Sequence, residues 1–205
     1  MKRHLTTYIL VLTSSLTYGQ TNIDLTIKRD TFQYFSILDT NFHKYQLPDN
    51  FKKPKKWIKV DKERTGFLGD WYGNKYSDTF GLKDALAIID TATQLSQIGS
   101  AKSWCINNYQ KAFPFLVARL SDKRKIGLTN TGDLIIWDRL GTSDLEFYGH
   151  GGSITEDIFT IAGRASWILN QLTGEIFAEV HGNLTEKQSE EFKKLWVQYI
   201  DKLKK

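Results

Sequence analysis

Residues 144–153 carry the side chains in this chain that come nearest to a chemical site. The run Asp-Leu-Glu-Phe-Tyr-Gly-His-Gly-Gly-Ser places two carboxylates, an imidazole and a hydroxyl on a glycine-rich segment. Such a segment is typical of an irregular loop between two regular elements. We therefore treat it as a candidate binding loop, with the preceding acid included. Its candidate residues are Asp138, Asp144, Glu146, Tyr148 and His150.

A metal ion in this loop would need an imidazole, at least one carboxylate and a further ligand, and His181 could supply that ligand. The spacing of these residues matches no known metal motif, so we predict no metal site and no cofactor. A structural role is the alternative, in which Tyr148 and His150 pack on neighbouring helices and the acids cap them.

A second candidate site is the basic segment, residues 52–59, which interleaves lysines with an aromatic side chain as Lys-Lys-Pro-Lys-Lys-Trp-Ile-Lys. Cations next to an aromatic ring can follow phosphates or another anionic polymer. Charge runs are also typical of solvated surfaces, and Pro54 favours an exposed, extended chain. The candidate residues for an anionic partner are Lys53, Lys55, Lys56 and Trp57.

Apolar residues at helical spacing predict helices beyond residue 80. The first runs from Leu82 to Gly99, a glycine suited to end a helix because it accepts positive φ. A short helical piece follows as far as Ile106. The next helix has Pro114 in its first turn, where a missing N–H removes no internal hydrogen bond, and ends at residues 121–122.

Three more helices are predicted in the second half of the chain. The first covers about residues 131–140, and the second runs from a capping Thr155 to Gly174. The last runs from Thr185 to Leu203 and opens with a capping box, because a glutamine follows the threonine by three residues. We expect the second of these helices to be the centre of the core and to pack on the third. The predicted buried stripe of the third helix consists of Phe192, Leu195, Trp196, Tyr199 and Leu203.

Three segments resemble parts of HEAT or HEAT-like repeats, in which pairs of helices stack into solenoids. Residues 92–100 and 112–122 resemble the first and second helix of one repeat, and residues 164–174 resemble another first helix. The three expected helix-ending glycines, Gly99, Gly141 and Gly174, lie 42 and 33 residues apart. These two spacings bracket the repeat length of about 40 residues. The resemblance covers half of the chain and implies a surface that binds other macromolecules.

The first 19 residues have the pattern of a secretion signal. Lys2 and Arg3 supply the positive end, and Leu5 to Thr17 contains no charged side chain. This apolar stretch is shorter than the about 20 residues that cross a bilayer. We expect cleavage after Gly19, which would leave a secreted or periplasmic protein without a transmembrane segment.

Amino-acid composition limits the class of protein and the kind of partner that can be expected. Apolar residues make up 40% of the chain and charged residues 25%, as in a folded globular protein. Signal cleavage would lower the net charge from +5 to +3, which gives no reason to expect nucleic acid as the partner. Cys105 is the only cysteine, so an intramolecular disulfide is excluded and the core must supply the stability.

The sequence thus predicts an all-α or mainly α fold with degenerate HEAT-like helix pairs. We expect a signal peptide over residues 1–19, an irregular amino-terminal arm over 20–80 and a helical domain over 81–205. The predicted function is that of an extracytoplasmic, non-enzymatic binding protein whose partner is another protein or an anionic extracellular polymer. The alternative is an enzyme or a metal-dependent protein that uses the loop from Asp138 to Ser153.

Overall fold

The helices of this chain account for most of its regular structure. The computed structural model describes residues 41–57, 79–129, 134–136, 139 and 152–204, all within one compact unit, Asn41–Lys205. The unit therefore includes residues 41–57, which lie in the stretch predicted as an irregular arm. Its helices are a 3₁₀ helix, Phe42–Tyr45, and α1 (Leu82–Thr91), α2 (Leu95–Asn107), α3 (Tyr109–Arg119), α4 (Ile161–Thr173) and α5 (Glu186–Leu203). The prediction of a mainly α fold is confirmed.

Two short strands accompany the helices. Strand β1 (Leu134–Ile136) pairs in parallel with β2 (Gly152–Ile154), so that Ile136 lies beside Ile154. The helix predicted over 131–140 is therefore wrong at its centre. A short apolar run does not distinguish a helix from a buried strand, and two β-branched residues in this one favour a strand once a partner is available.

The helix predicted from Leu82 to Gly99 is divided into α1 and α2. The backbone N–H and the hydroxyl of Thr129 both donate to the Thr93 carbonyl, at 2.8 and 3.2 Å. This pairing holds the chain extended between the two helices. Gly99 consequently lies buried inside α2 and ends no helix, so the glycine spacing that carried the repeat resemblance does not mark a helix end there.

Helix α3 begins earlier than predicted. Asn108 ends α2 and starts α3, and its carbonyl accepts hydrogen bonds from the backbone N–H groups of Lys111 and Ala112. Pro114 is therefore inside the helix rather than in its first turn. A proline there removes an internal hydrogen bond, a cost that the burial of its neighbours along α3 offsets.

Helix α4 begins at Ile161 and not near Thr155, because the chain before it is used for other contacts. The Asp157 N–H donates to the Val180 carbonyl at 2.7 Å, which keeps this segment out of the helix. Thr160 is the actual cap, and its hydroxyl accepts the Gly163 N–H at 3.0 Å. The predicted end is confirmed, since Gly174 adopts a left-handed conformation with φ of 69°.

The core is centred on α4, which packs mainly against α1, α2 and α3. Helix α5 starts with the predicted Thr185–Gln188 capping box, but it packs mainly on α3 and the 3₁₀ helix. The predicted packing of α4 on α5 through Leu195 is therefore wrong, because Leu195 is 39% exposed. The buried stripe of α5 is rotated from the predicted one and consists of Ser189, Lys193, Trp196 and Ile200.

Arg164 ties several of these elements together from the middle of the core. Its fully buried guanidinium donates to the carbonyls of Ile158, Ile89 and Gly127 at 2.8, 2.8 and 2.9 Å. Burial lowers the pKa of Arg164 to about 10, while nearby Asp90 and Asp157 act in the opposite direction. The side chain therefore stays charged at neutral pH and joins α4 to the end of α1 and to two loops.

Candidate functional site

The candidate binding loop lies outside the described residues. Asp138, Asp144, Glu146, Tyr148 and His150 all fall there, and their role stays a prediction. The structure does describe what flanks them, since β1 precedes this stretch and β2 follows it. His181, the suggested further ligand, is exposed and lies 4.0 Å from Glu179.

An ion pair lies just beyond the strands. Arg139 and Asp157 each follow the paired residues Ile136 and Ile154 by three positions, so a parallel register brings them to the same edge. Arg139 Nε donates to Asp157 Oδ1 at 3.1 Å, and Arg139 Nη2 donates to Oδ2 at 2.6 Å. Asp157 has no exposed surface and also accepts the Phe159 N–H. This bidentate pair fixes the segment after β2 and is a structural feature.

A buried polar cluster adjoins this ion pair in sequence. The Asn170 side-chain amide donates to Glu156 Oε1 at 2.6 Å and to the Ala178 carbonyl at 2.8 Å, and the Ser166 hydroxyl donates to the same carbonyl. All three side chains are nearly or fully buried. Neither this cluster nor the Arg139–Asp157 pair was found from the sequence, which placed Arg139 at the end of one helix and Asp157 at the start of another.

The basic segment is described as far as Trp57, and its lysines have different surroundings. Lys55 and Lys52 are exposed. Lys56 Nζ donates to Glu175 Oε1 at 2.7 Å, and Lys53 Nζ lies 5.5 Å from the centre of the Tyr109 ring. Partial burial lowers the pKa of Lys53. The segment thus presents cations to solvent while its Lys53 and Lys56 side chains contact the surface of the domain.

Trp57 is the anchor of this segment and not a surface ring. It has no exposed area, stacks on Phe113 with ring centroids 5.9 Å apart, and contacts the rings of Phe51 and Tyr109. Its Nε1 donates to the Tyr199 hydroxyl at 2.6 Å. Trp57 is one of the four residues predicted to form a patch for an anionic partner, but its ring is packed inside the protein and leaves no surface for a partner to contact.

Burial raises the pKa of Tyr199, although the hydrogen bond from Trp57 acts in the opposite direction. The phenol therefore stays protonated at neutral pH, and its oxygen accepts the indole N–H. Tyr199 belongs to α5, so this one hydrogen bond fixes the basic segment to the carboxy-terminal helix. The periodicity of α5 predicted a buried Tyr199, but no local signal connects it with a tryptophan 142 positions earlier.

Within the described ranges, no three His, Cys, Asp or Glu side chains are grouped closely enough to hold a metal ion. The same part of the chain contains no helix with the length and apolar character that crossing a membrane requires. The basic segment combines the exposed Lys52 and Lys55 with a buried anchor at Trp57. The chain matches no protein-family model, no curated protein sequence and no solved structure.

Proposed function

We propose that this chain is an extracytoplasmic, non-enzymatic binding protein that uses the basic segment to contact an anionic partner. The observation that carries the proposal is the buried Trp57 at the end of a row of lysines. Because the indole is fixed by Tyr199 and Phe113, the preceding cations lie on a rigid surface. A preorganised charge row loses less conformational freedom on binding than a flexible one.

The distribution of charges supports a polyanion rather than a single acid. The lysines occupy consecutive positions on both sides of Pro54, and Lys52 and Lys55 are exposed and available to a partner. A linear polymer or an acid-rich protein segment can contact several of them together, and such binding weakens as salt rises. Secretion and the HEAT-like character of the helices stay predictions, and both agree with a binding role outside the cytoplasm.

The proposal is tested with two double variants that remove the same charge. Lys52→Ala with Lys55→Ala changes the basic segment, whereas Lys187→Ala with Lys202→Ala changes exposed positions on α5. Binding to heparin and to polyglutamate is measured across a salt series. We expect the first variant to bind roughly fivefold more weakly or worse, since an exposed ion pair contributes up to about 1 kcal/mol. We also expect its affinity to depend less on salt.

Heparin represents an anionic polymer, and polyglutamate represents an acid-rich protein segment. The one that binds with the higher affinity identifies the class of partner. Equal weakening by both double variants would show that net charge alone matters and would contradict the proposal. The enzymatic or metal-dependent alternative at Asp138–Ser153 is supported by no contact among the described residues, and it stays a prediction.

A further inference from the structure

An open pocket of about 280 Å³ lies between the 3₁₀ helix and one face of α5. Four of the α5 residues that line it are Glu190, Lys193, Lys194 and Val197, whose spacing of three, four and seven positions puts them on a single helical face. The 3₁₀ helix supplies the opposite wall. None of these residues belongs to the basic segment, so the pocket is independent of the proposed polyanion surface.

The pocket carries an excess of positive charge. Its lining residues include three lysines, Lys44, Lys193 and Lys194, and one acid, Glu190. Lys193 is only 6% exposed, and its Nζ lies 3.4 Å from Glu190 Oε1. Lysine is rarely so buried, and charges of one sign in a concave site with apolar walls attract ions of the opposite sign.

The rest of the lining comes from two polar residues, Asn41 and Gln198, and from Tyr45 and Val197. Tyr45 is only 1% exposed and Val197 is partly buried, so Val197 offers a ligand more apolar surface than Tyr45 does. The volume is small for a ligand site and equals about nine water molecules at roughly 30 Å³ each. A molecule that fills it has about nine non-hydrogen atoms, by the same measure.

We propose that this pocket binds a small organic anion, a carboxylate carried on a compact apolar body. The apolar body lies against Val197, and the carboxylate faces the exposed Lys44 and Lys194. The Glu190 carboxylate lies on the same face of α5, 3.4 Å from Lys193 Nζ, and it repels the carboxylate of the ligand. The pocket therefore distinguishes an anion from a neutral molecule of the same shape.

Benzoate has the required size and charge, and benzamide is its neutral counterpart. Titration of the whole protein with each is followed by isothermal calorimetry and by NMR chemical shifts. We expect benzoate to bind with NMR shifts concentrated at the 3₁₀ helix and at Glu190 to Gln198, and benzamide to bind at least about tenfold more weakly, since two cations contribute. Equal affinities, or shifts that lie elsewhere, would overturn the proposal, as would the absence of benzoate binding at millimolar concentration.

Single substitutions test which side chains contribute to benzoate binding. Lys44→Gln and Lys194→Gln should each weaken benzoate binding about fivefold, the change that corresponds to about 1 kcal/mol for an exposed ion pair. Glu190→Gln should strengthen benzoate binding, because a carboxylate that repels the ligand is lost. Lys187→Gln, on α5 but outside the pocket, is the matched control and should leave the affinity unchanged. These positions are exposed, so the variants are expected to fold, which circular dichroism checks. A loss in the control equal to that in the two lysine variants would refute the site.

Discussion

Cys105 shows how burial controls the chemistry of a single side chain in this protein. The thiol lies on α2 with no exposed surface, and burial raises its pKa to about 12, although the charge of Arg119 acts in the opposite direction. The unfolded thiol titrates near its ordinary value of 9.0. The folded chain therefore holds this proton to higher pH than the unfolded chain does. The stability linked to the thiol is complete below about pH 9 and is lost as pH rises towards 12.

We expect Cys105→Ala to make stability less sensitive to alkali. Between pH 8 and pH 10.5 the free energy of unfolding should fall by about 2 kcal/mol more in the natural chain than in the variant, at about 1.36 kcal/mol for each pKa unit. Urea unfolding at the two pH values measures this difference, and all other titrating groups are shared by the two proteins. An equal fall in both would mean that the folded thiol titrates like an unfolded one.

At the scale of elements, the start of α4 depends on a close approach that only glycine permits. A Cβ atom on Gly163 would lie 1.9 Å from the Asp157 carbonyl oxygen, which also accepts hydrogen bonds from the Thr160 N–H and hydroxyl. Backbone atoms fill this space, so the turn before the helix would have to move. That turn also holds the carboxylate that pairs with Arg139.

Gly163→Ala should therefore destabilise the protein by about 3 kcal/mol or more, at or above the upper end for overpacking. Gly81→Ala is the matched control, because the nearest atom to a Cβ there is a flexible Asp84 carboxylate oxygen at 3.8 Å. We expect it to cost at most about 1 kcal/mol, the effect of replacing a glycine cap by alanine. Chemical unfolding of the two variants tests this difference, and similar losses would argue against the close contact.

The sequence predicted some elements better than others. The difference depends on whether the residues that define an element are close together in the chain. The capping box at Thr185 and the glycine at 174 act within one turn, so both were predicted correctly. The break between α1 and α2 depends on Thr129, and the late start of α4 depends on Val180, each of which is distant in sequence. Such pairings leave no periodic signal. The candidate loop was predicted from its composition alone. The Arg139–Asp157 pair beside it could be predicted only with the register of β1 and β2 known.

At the scale of the whole molecule, Trp57 connects the two ends of the described chain. We expect Trp57→Ala to cost about 3 to 5 kcal/mol, as truncation of a buried aromatic does, and Lys55→Ala to stay within about 0.5 kcal/mol. Because the indole contacts α3 and α5, the loss should shift the entire unfolding transition. Thermal unfolding followed by near-UV and far-UV circular dichroism should show one common midpoint.

A different outcome would change the description of residues 41–57. If Trp57→Ala removed near-UV signal at low temperature and left the far-UV midpoint in place, this stretch would be an appendage that unfolds by itself. The contact of Phe42 with Phe115, at 5.1 Å between ring centroids, argues for the cooperative result, because it joins the same stretch to the core at a second point.

The hydrogen bond between Trp57 and Tyr199 has a consequence for a chain that has been cleaved by a protease. Residues up to Trp57 are held to the rest by side-chain packing at both Phe42 and Trp57, so the peptide link to Thr79 is not their sole attachment. If the chain is hydrolysed between Trp57 and Thr79, each of the two fragments carries one side of these aromatic contacts. We expect the two fragments, produced separately and then mixed, to reassociate through these contacts. Tyr199→Phe would weaken their reassociation without altering the shape of either surface.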